Sequence, residues 1–477
     1  MPLYHFCSIC EPIGHSLSDL PFSSLPLKPA LLATLNDLGF TAMTQVQAAS
    51  LPAIIEGRDV LAQAKTGSGK TAAFGLGLLN RLNVKRFRVQ SLVLCPTREL
   101  ADQVAKELRR FARGIHNIKI LTLCGGVPVG PQIGSLEHGA HIIVGTPGRV
   151  LDHLQKGRLD LGELQQLVLD EADRMLEMGF ADALEQISAY MPDKRQSLLF
   201  SATFPEPIAE LARAIMDKPL SIKLEQQHDQ LSIAQQFIEV TDTASRLQAV
   251  EALLLAHRPE SAVVFCNTKR ETQELADSLE QQGFSVRALH GDLDQRERDQ
   301  ALVQFALKSV VVLVATDVAA RGLDIEALDL VINYQLAFDP EVHVHRVGRT
   351  GRAGASGQAV SLVGPKDGMR MALLEDIFGP QTMSELPQPG SFSSAPIRAA
   401  MRCIRIEGGK KHKLRPGDIL GAITADNRLT GADVGKIQIQ DIWSYVAVRS
   451  ECVNTAVKLL SERKLKGKSF RAWAMKP

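Results

Sequence analysis

Leu167-Val168-Leu169-Asp170-Glu171-Ala172-Asp173 is an apolar run that stops at once on acids. A short apolar stretch bounded by charge suits a strand buried on both faces, as in parallel sheets. About a hundred residues upstream stands Ala64-Lys65-Thr66-Gly67-Ser68-Gly69-Lys70-Thr71, a glycine-rich turn between a strand-like run and a helical one. Backbone N–H groups in such a turn surround phosphate oxygens, and the positive end of the following helix adds its dipole. Lys70 is placed to reach the terminal phosphates of a nucleotide, and Thr71 to hold Mg2+. Asp170 suits a metal contact, usually through water. Glu171 points elsewhere and can orient and deprotonate an attacking water. The two stretches are the halves of a Mg·ATP site.

Working outward, short β-rich runs alternate with amphipathic stretches, the pattern of parallel sheets with crossover helices. The first half predicts strands at 60–63, 91–95, 141–145, 167–170 and 197–200, each followed by a polar or glycine-bearing segment. Ligands of open α/β sheets bind beyond the carboxyl ends of strands, so these segments should form one rim. The pattern restarts after about residue 232, with strands at 262–266, 286–289, 310–315, 330–334 and 359–363. The tail from Met401 reads β-α-β-β-α-β, the order of ferredoxin-like domains, including the RNA recognition motif. The expected fold is α/β: two parallel-sheet domains in tandem, which resemble RecA-like domains, followed by an α+β domain that resembles an RNA recognition motif. The boundaries read as an N-terminal extension over 1–21, a first domain over 22–224, a polar linker over 225–232 and a second domain over 233–378. A Pro/Gly/Ser-rich connector over 379–398, of semi-flexible composition, leads to the last domain over 399–477.

At 477 residues, two or three domains are expected. No run of 18 apolar residues occurs, and the first twenty residues lack the basic start and apolar centre of a signal peptide, so the expectation is a cytoplasmic protein that does not meet a membrane. Seven scattered cysteines suit a reducing compartment. His5, Cys7, Cys10 and His15 lack the paired spacing of zinc fingers and suit an untidy tail better than a metal site. The net charge of +1 conceals an asymmetry. From Arg398 onward 17 basic residues face 7 acidic ones, a net of +10, while the rest of the chain carries −9. Such a terminal domain has the electrostatic footprint of a polyanion binder, although a solvated lysine-rich face would look the same.

His345-Arg346-Val347-Gly348-Arg349-Thr350-Gly351-Arg352 places three arginines around two glycines. Spaced by three, Arg346, Arg349 and Arg352 could converge on one anion. A positive charge on the transferring phosphoryl group is worth about 10³ to 10⁵ in rate. If these arginines come from a second domain, hydrolysis requires closure, and ATP becomes a clamp.

The ordered motifs resemble those of the DEAD-box RNA helicases from about Phe22 to Val363. Beyond the two stretches above, they include Pro96-Thr97-Arg98-Glu99-Leu100-Ala101, Gly125-Gly126, Thr146-Pro147-Gly148-Arg149, Ser201-Ala202-Thr203, His290-Gly291-Asp292 with Gln295 and Arg298, and the run Ala315 to Asp324. The resemblance implies that Phe22 stacks on adenine, Gln47 reads its edge and Asp324 contacts the ribose. It also implies that Arg98, Gly126, Thr146, Arg149, Gly291 and Thr316 line an RNA path along the sugar-phosphate backbone, where contacts carry no sequence information. Ser201 and Thr203 would couple hydrolysis to duplex separation. In isolation, Thr97 and Thr203 could be ordinary cap residues. Met43 and Gln45 stand where the family often has prolines, and His343 where a tyrosine is usual.

The last domain resembles the RNA-binding module of the bacterial DbpA subfamily. That resemblance implies action on large-subunit ribosomal RNA in assembling ribosomal particles. Lys410, Lys411 and Lys413 follow its first strand and are the leading candidates for RNA contact. Ordinary RNA recognition motifs stack bases on aromatic residues of the central strands. Here the third strand offers only Tyr445 and the first none, so recognition should rely on loops and basic edges. Trp443 and Trp473 could be core or edge residues rather than base platforms. The leading reading is an RNA-stimulated ATPase, expected to be a monomer, that separates short duplexes in ribosomal RNA. A rival is an ATP-gated RNA clamp or assembly scaffold. A double-stranded DNA translocase is disfavoured, and DNA is not an expected partner.

Overall fold

A computed structural model describes residues 20–64, 67–223, 233–320, 328–350, 357–388, 390 and 395–476. Lys65, Thr66, Asp324, Arg352, the linker 225–232 and the His5/Cys7/Cys10/His15 group lie outside the described residues. The chain divides into two compact units between residues 227 and 228.

The first unit is built on a wholly parallel seven-stranded sheet. Its strands are β1 (Val60–Gln63), β2 (Ser91–Leu94), β3 (Ile120–Leu123), β4 (Ile142–Gly145), β5 (Gln166–Asp170), β6 (Gln196–Ser201) and β7 (Leu220–Lys223), in the order β3-β4-β2-β5-β6-β1-β7. Alternating side chains feed two apolar layers. Val93, Val144, Val168 and Phe200 pack on one face, beneath helices that include Lys70–Arg81 and Arg98–Phe111. Leu92, Ile143, Leu167 and Leu199 pack on the other. Both faces are covered, so the central strands carry runs of consecutive apolar residues, such as Leu92-Val93-Leu94 and Leu167-Val168-Leu169, rather than one at every second position.

The second unit repeats this plan with β8 (Ile233–Glu239), β9 (Ala262–Cys266), β10 (Val286–Leu289), β11 (Val312–Thr316), β12 (Leu330–Asn333) and β13 (Gly357–Val363), ordered β10-β11-β9-β12-β13-β8 and again parallel. It also holds an antiparallel sheet of β14 (Met401–Ile406), β15 (Val434–Ile439), β16 (Ser444–Arg449) and β17 (Ala472–Ala474), ordered β15-β16-β14-β17. Helices Pro416–Thr424 and Val453–Glu462 cover one face through Ile404, Ile406, Val446 and Val448.

Three strands, β3, β7 and β8, were absent from the sequence-based expectation, and all three are sheet edges. An edge strand has one neighbour and keeps polar residues, as in Leu-Ser-Ile-Lys of β7, so its apolar signal is weak. The connector also differs from its composition. Ser384 N–H donates to Phe237 O at 2.7 Å, Ser285 N–H to Ile397 O at 3.0 Å, and Leu386 and Ile397 pack on the second domain's core. Apolar anchors at its two ends tie this segment down despite its prolines.

His343, on helix Pro340–Val347, is fully buried between the rings of Phe237 and Phe378. Its Nε2 faces Gln235 Oε1 at 3.3 Å. Burial, reinforced by the neighbouring Arg346 charge, depresses its pKa from 6.5 to about 4. The neutral ring is the native form, so its contribution to stability is complete above pH 6.5 and is lost as pH falls towards 4. Denaturant unfolding of the full chain should therefore show about 3 kcal/mol more loss over that window than His343→Phe does. Equal slopes in both proteins would remove His343 as the cause.

Candidate functional site

The phosphate loop sits between β1 and helix Lys70–Arg81. Gly67 and Gly69 have φ of +80° and +94°, values that glycine adopts without strain. A Cβ at Gly69 would collide with the Gln47 amide. The loop is held from behind by helix Gln45–Glu56. Thr44 Oγ1 donates to Ser68 O at 2.8 Å, and Gln47 Nε2 to Gly69 O at 3.1 Å. Gln47 Oε1 also accepts from Thr44 N–H at 2.9 Å, closing a capping box. Thr44 thus belongs to the site, and the Thr-x-x-Gln pattern was the signal for it. The same box fixes the segment without the prolines common in the family, while Met43 is buried beneath it. Each Gln47 amide atom uses one of its two bonding positions, which leaves one of each for a base. Phe22 is 3% exposed and packs edge-on against Phe40 at 6.4 Å, so stacking on adenine would require its ring to be uncovered.

Asp170 ends β5 beside this loop. Its Oδ1 and the Nζ of Lys70 are buried, and neither atom has a hydrogen-bond partner among the described residues. Burial pushes the Asp170 carboxyl up to about 6; Lys70 opposes the shift and Glu171 adds to it. Buried charged groups with unfilled hydrogen-bond positions are costly unless a ligand completes them. A phosphate–cation pair is complementary to both, so the residues present fit Mg·ATP. Glu171 follows with φ +54°, a left-handed conformation that a non-glycine residue rarely adopts, and pairs with Arg174 at 3.5 Å.

Asp173 was not singled out from the sequence, yet it joins two motifs. Its Oδ2 accepts from Ala202 N–H at 3.1 Å, Thr203 N–H at 3.0 Å and Thr203 Oγ1 at 3.2 Å. Ser201 Oγ accepts from Asp173 N–H at 3.3 Å. Thr203 is therefore a tether and not a cap, whereas Thr97 does cap helix Arg98–Phe111 by accepting from Leu100 N–H at 3.3 Å. The one signal for Asp173 was its place within the acidic stretch.

The strand order splits the rim of the first unit. Asp170 and Ser201 end β5 and β6, and the phosphate loop follows β1; these three strands are neighbours. Arg98, Gly126, Thr146 and Arg149 follow β2, β3 and β4, the adjoining three. Gly125 N–H donates to Thr146 Oγ1 at 3.4 Å and Arg149 Nη2 to Val127 O at 3.1 Å, tying these loops together. In the second unit, Gly291 follows β10 and Thr316 ends the adjacent strand β11. Lys410, Lys411 and Lys413 are exposed on a turn pinned by Lys410 N–H to Gln440 O at 2.8 Å and Lys411 N–H to Asp441 O at 2.9 Å.

Three family patterns match the chain: DEAD/DEAH box helicase over residues 44–211, helicase conserved C-terminal domain over 245–354 and DbpA RNA binding domain over 403–473. The ATP-dependent RNA helicase DbpA of Escherichia coli is 54% identical over 456 residues, 95% of this chain and 99% of that protein. The chain belongs to the DEAD-box ATP-dependent RNA helicases, in the DbpA subfamily. The DEAD-box helicase CshA of Geobacillus kaustophilus is 42% identical over 72% of this chain and 74% of its own length. Among solved structures, S. cerevisiae Dbp5 bound to RNA and ADP BeF3 superposes with a TM-score of 0.70 at 32% identity, covering 76% of this chain and 95% of that one.

One arginine of the second DEAD-box unit departs from the expected cluster. Arg346 is 1% exposed and does not converge with Arg349 on an open anion site. It donates to both oxygens of Asp317 at 2.6 and 2.7 Å, to Asn267 Oδ1 at 2.8 Å and to Gln335 O at 2.8 Å, and it lies over the Phe265 ring. A guanidinium has five N–H donors, and these contacts leave it no bidentate edge for phosphate. Arg349 is placed by its N–H to Arg346 O at 3.1 Å. Replacing Arg346 by alanine should lower the unfolding free energy of the second unit by about 3 kcal/mol, because the half-buried Asp317 carboxylate, Asn267 Oδ1 and Gln335 O all lose their donor. Urea unfolding reads this. Unchanged stability with abolished ATPase would instead assign Arg346 to the phosphate.

Proposed function

We propose that this RNA helicase separates short duplexes in large-subunit ribosomal RNA within assembling ribosomal particles. It would act as a cytoplasmic monomer whose last domain selects the target. The observation that carries this reading is the pinned, exposed turn of Lys410, Lys411 and Lys413 in a domain of net charge +10. Charge of this density on a rigid loop suits the backbone of a folded RNA. Tethering near a target raises effective concentration without new contacts in the core.

In the catalytic reading, Ala64 through Thr71 bind the phosphates, with Lys70 at the terminal ones and Thr71 with Asp170 holding Mg2+, which neutralises charge on the transferring group. Glu171 orients water and takes its proton. Arg349 and Arg352 supply further positive charge. Asp173 carries the state of this site to Ser201 and Thr203. Gln47 and Phe22 serve adenine and Asp324 the ribose. Arg98, Gly126, Thr146, Arg149, Gly291 and Thr316 hold the RNA backbone. The boundaries 22–224, 233–378 and 399–477 divide these tasks between an ATP-binding domain, a second helicase domain and an RNA-binding domain.

Two substitution sets test the two halves. Lys410→Glu/Lys411→Glu/Lys413→Glu should leave ATPase stimulation by generic RNA intact. It should lower the concentration advantage of large-subunit ribosomal RNA by at least about tenfold. Equal stimulation of the unaltered protein by every RNA sinks the targeting reading. Glu171→Gln should lower ATP turnover by about 10² to 10⁴-fold while RNA binding persists. Cellular function that survives that loss would favour the clamp or scaffold.

A further inference from the structure

The second face of the antiparallel sheet is closed. Cys403, Tyr445, Ala447 and Met475 pack against Val303 and Leu307, at the end of helix Gln295–Ala306. This is the face on which RNA recognition sheets stack bases. At its margin a cavity of about 550 Å³ remains open, between β10, helix Gln295–Ala306 and β17.

Two cations meet there over a neutral atom. With its amide oxygen turned toward the donors, Gln300 accepts from Arg405 Nη1 at 3.0 Å and from Arg296 Nε at 3.2 Å. Arg405 is 3% exposed, its Nε has no hydrogen-bond partner, and its guanidinium lies 3.6 Å from the Trp443 ring centroid and 5.5 Å from that of Trp473. The acids at the margin are committed elsewhere. Glu297 accepts from Asp294 N–H at 2.9 Å as a helix cap, Glu280 pairs with Arg287 at 3.2 Å, and Asp277 accepts from the Gln273 amide at 2.7 Å. Among the described residues no carboxylate lies within salt-bridge distance of Arg296 or Arg405. Two guanidiniums sharing one neutral oxygen repel each other, and an anion between them relieves this. Guanidinium forks suit phosphate oxygens, and a half-exposed indole suits a base.

We infer that this cavity binds one phosphodiester of unpaired RNA, with Arg296 and Arg405 on the phosphate and the Trp473 ring against the adjoining base. Helix Gln295–Ala306, which carries Arg296 and Gln300, begins four residues after Gly291. The site therefore extends an RNA path from the second helicase domain toward the last domain. It rests on the assignment as an RNA helicase and not on the ribosomal target.

Trp443 and Trp473 are the two tryptophans of the chain, so selectively excited tryptophan fluorescence reports on this place alone. Titrating the full-length protein with a short single-stranded oligouridine should give a saturable change in that signal. Arg296→Glu should weaken the apparent affinity by about tenfold while leaving RNA-independent ATPase unchanged. The triple Lys410/Lys411/Lys413→Glu protein should retain the response. No signal change, or equal affinity in Arg296→Glu, overturns the site. Loss of the response only in the lysine triple moves the RNA to the basic turn, and the same response to inorganic phosphate alone would make this a free-anion site.

Discussion

Both faces of each parallel sheet are sealed by helices, and the position of the chemistry follows from this. Val168 and Phe200 fill one layer while Leu167 and Leu199 fill the other, so no strand surface remains for a ligand. The edge where the strands end is where polar loops can collect. Strand order then divides the labour. The loop after β1 and the ends of β5 and β6 carry the phosphate loop, Asp170 and Ser201, and loops after β2, β3 and β4 carry Arg98, Gly126 and Thr146. A substitution in the strands disturbs both groups through one core, while a substitution in the loops can disturb one alone.

Buried charge marks the difference between scaffold and site. Arg346 is buried, and Asp317, Asn267 and a backbone carbonyl satisfy it, so it is a fixed part of the fold. Asp59 is likewise satisfied, accepting from Ser197 N–H and Asp217 N–H at 2.8 Å each. Lys70 Nζ and Asp170 Oδ1 are equally buried but lack protein partners among the described residues. That imbalance, together with the strained Glu171 backbone, is where the fold's free energy is left for a ligand to complete.

The C-terminal domain illustrates the same economy with a different outcome. One face of its sheet is its own core, and the other packs on the second helicase domain through Tyr445 and Val303. Tyr445, the one aromatic residue offered by the central strands, is thereby removed from base stacking. The turn at Lys410 stays exposed, and the cleft at Arg405 stays open at the margin of the closed face.

Much of this was legible in the chain itself. Apolar runs ending on acids or glycines located the central strands, because strands covered on both sides need apolar residues throughout. Edge strands β3, β7 and β8 escaped because a single neighbour tolerates polar residues. The motif residues were legible as chemistry: glycines for φ near +90°, a lysine, adjacent acids. Their partners were not. Arg346 and Arg349 look equivalent three residues apart, and Asp173 looks like one more surface acid. Periodicity and residue chemistry act over a few neighbours, so the sequence by itself determined the elements, the phosphate loop and the charge of the last domain. The tertiary structure alone decided which buried charges are satisfied and which are not, that Asp173 holds Thr203, and that Arg296 meets Arg405, because each depends on contacts between segments far apart in the chain.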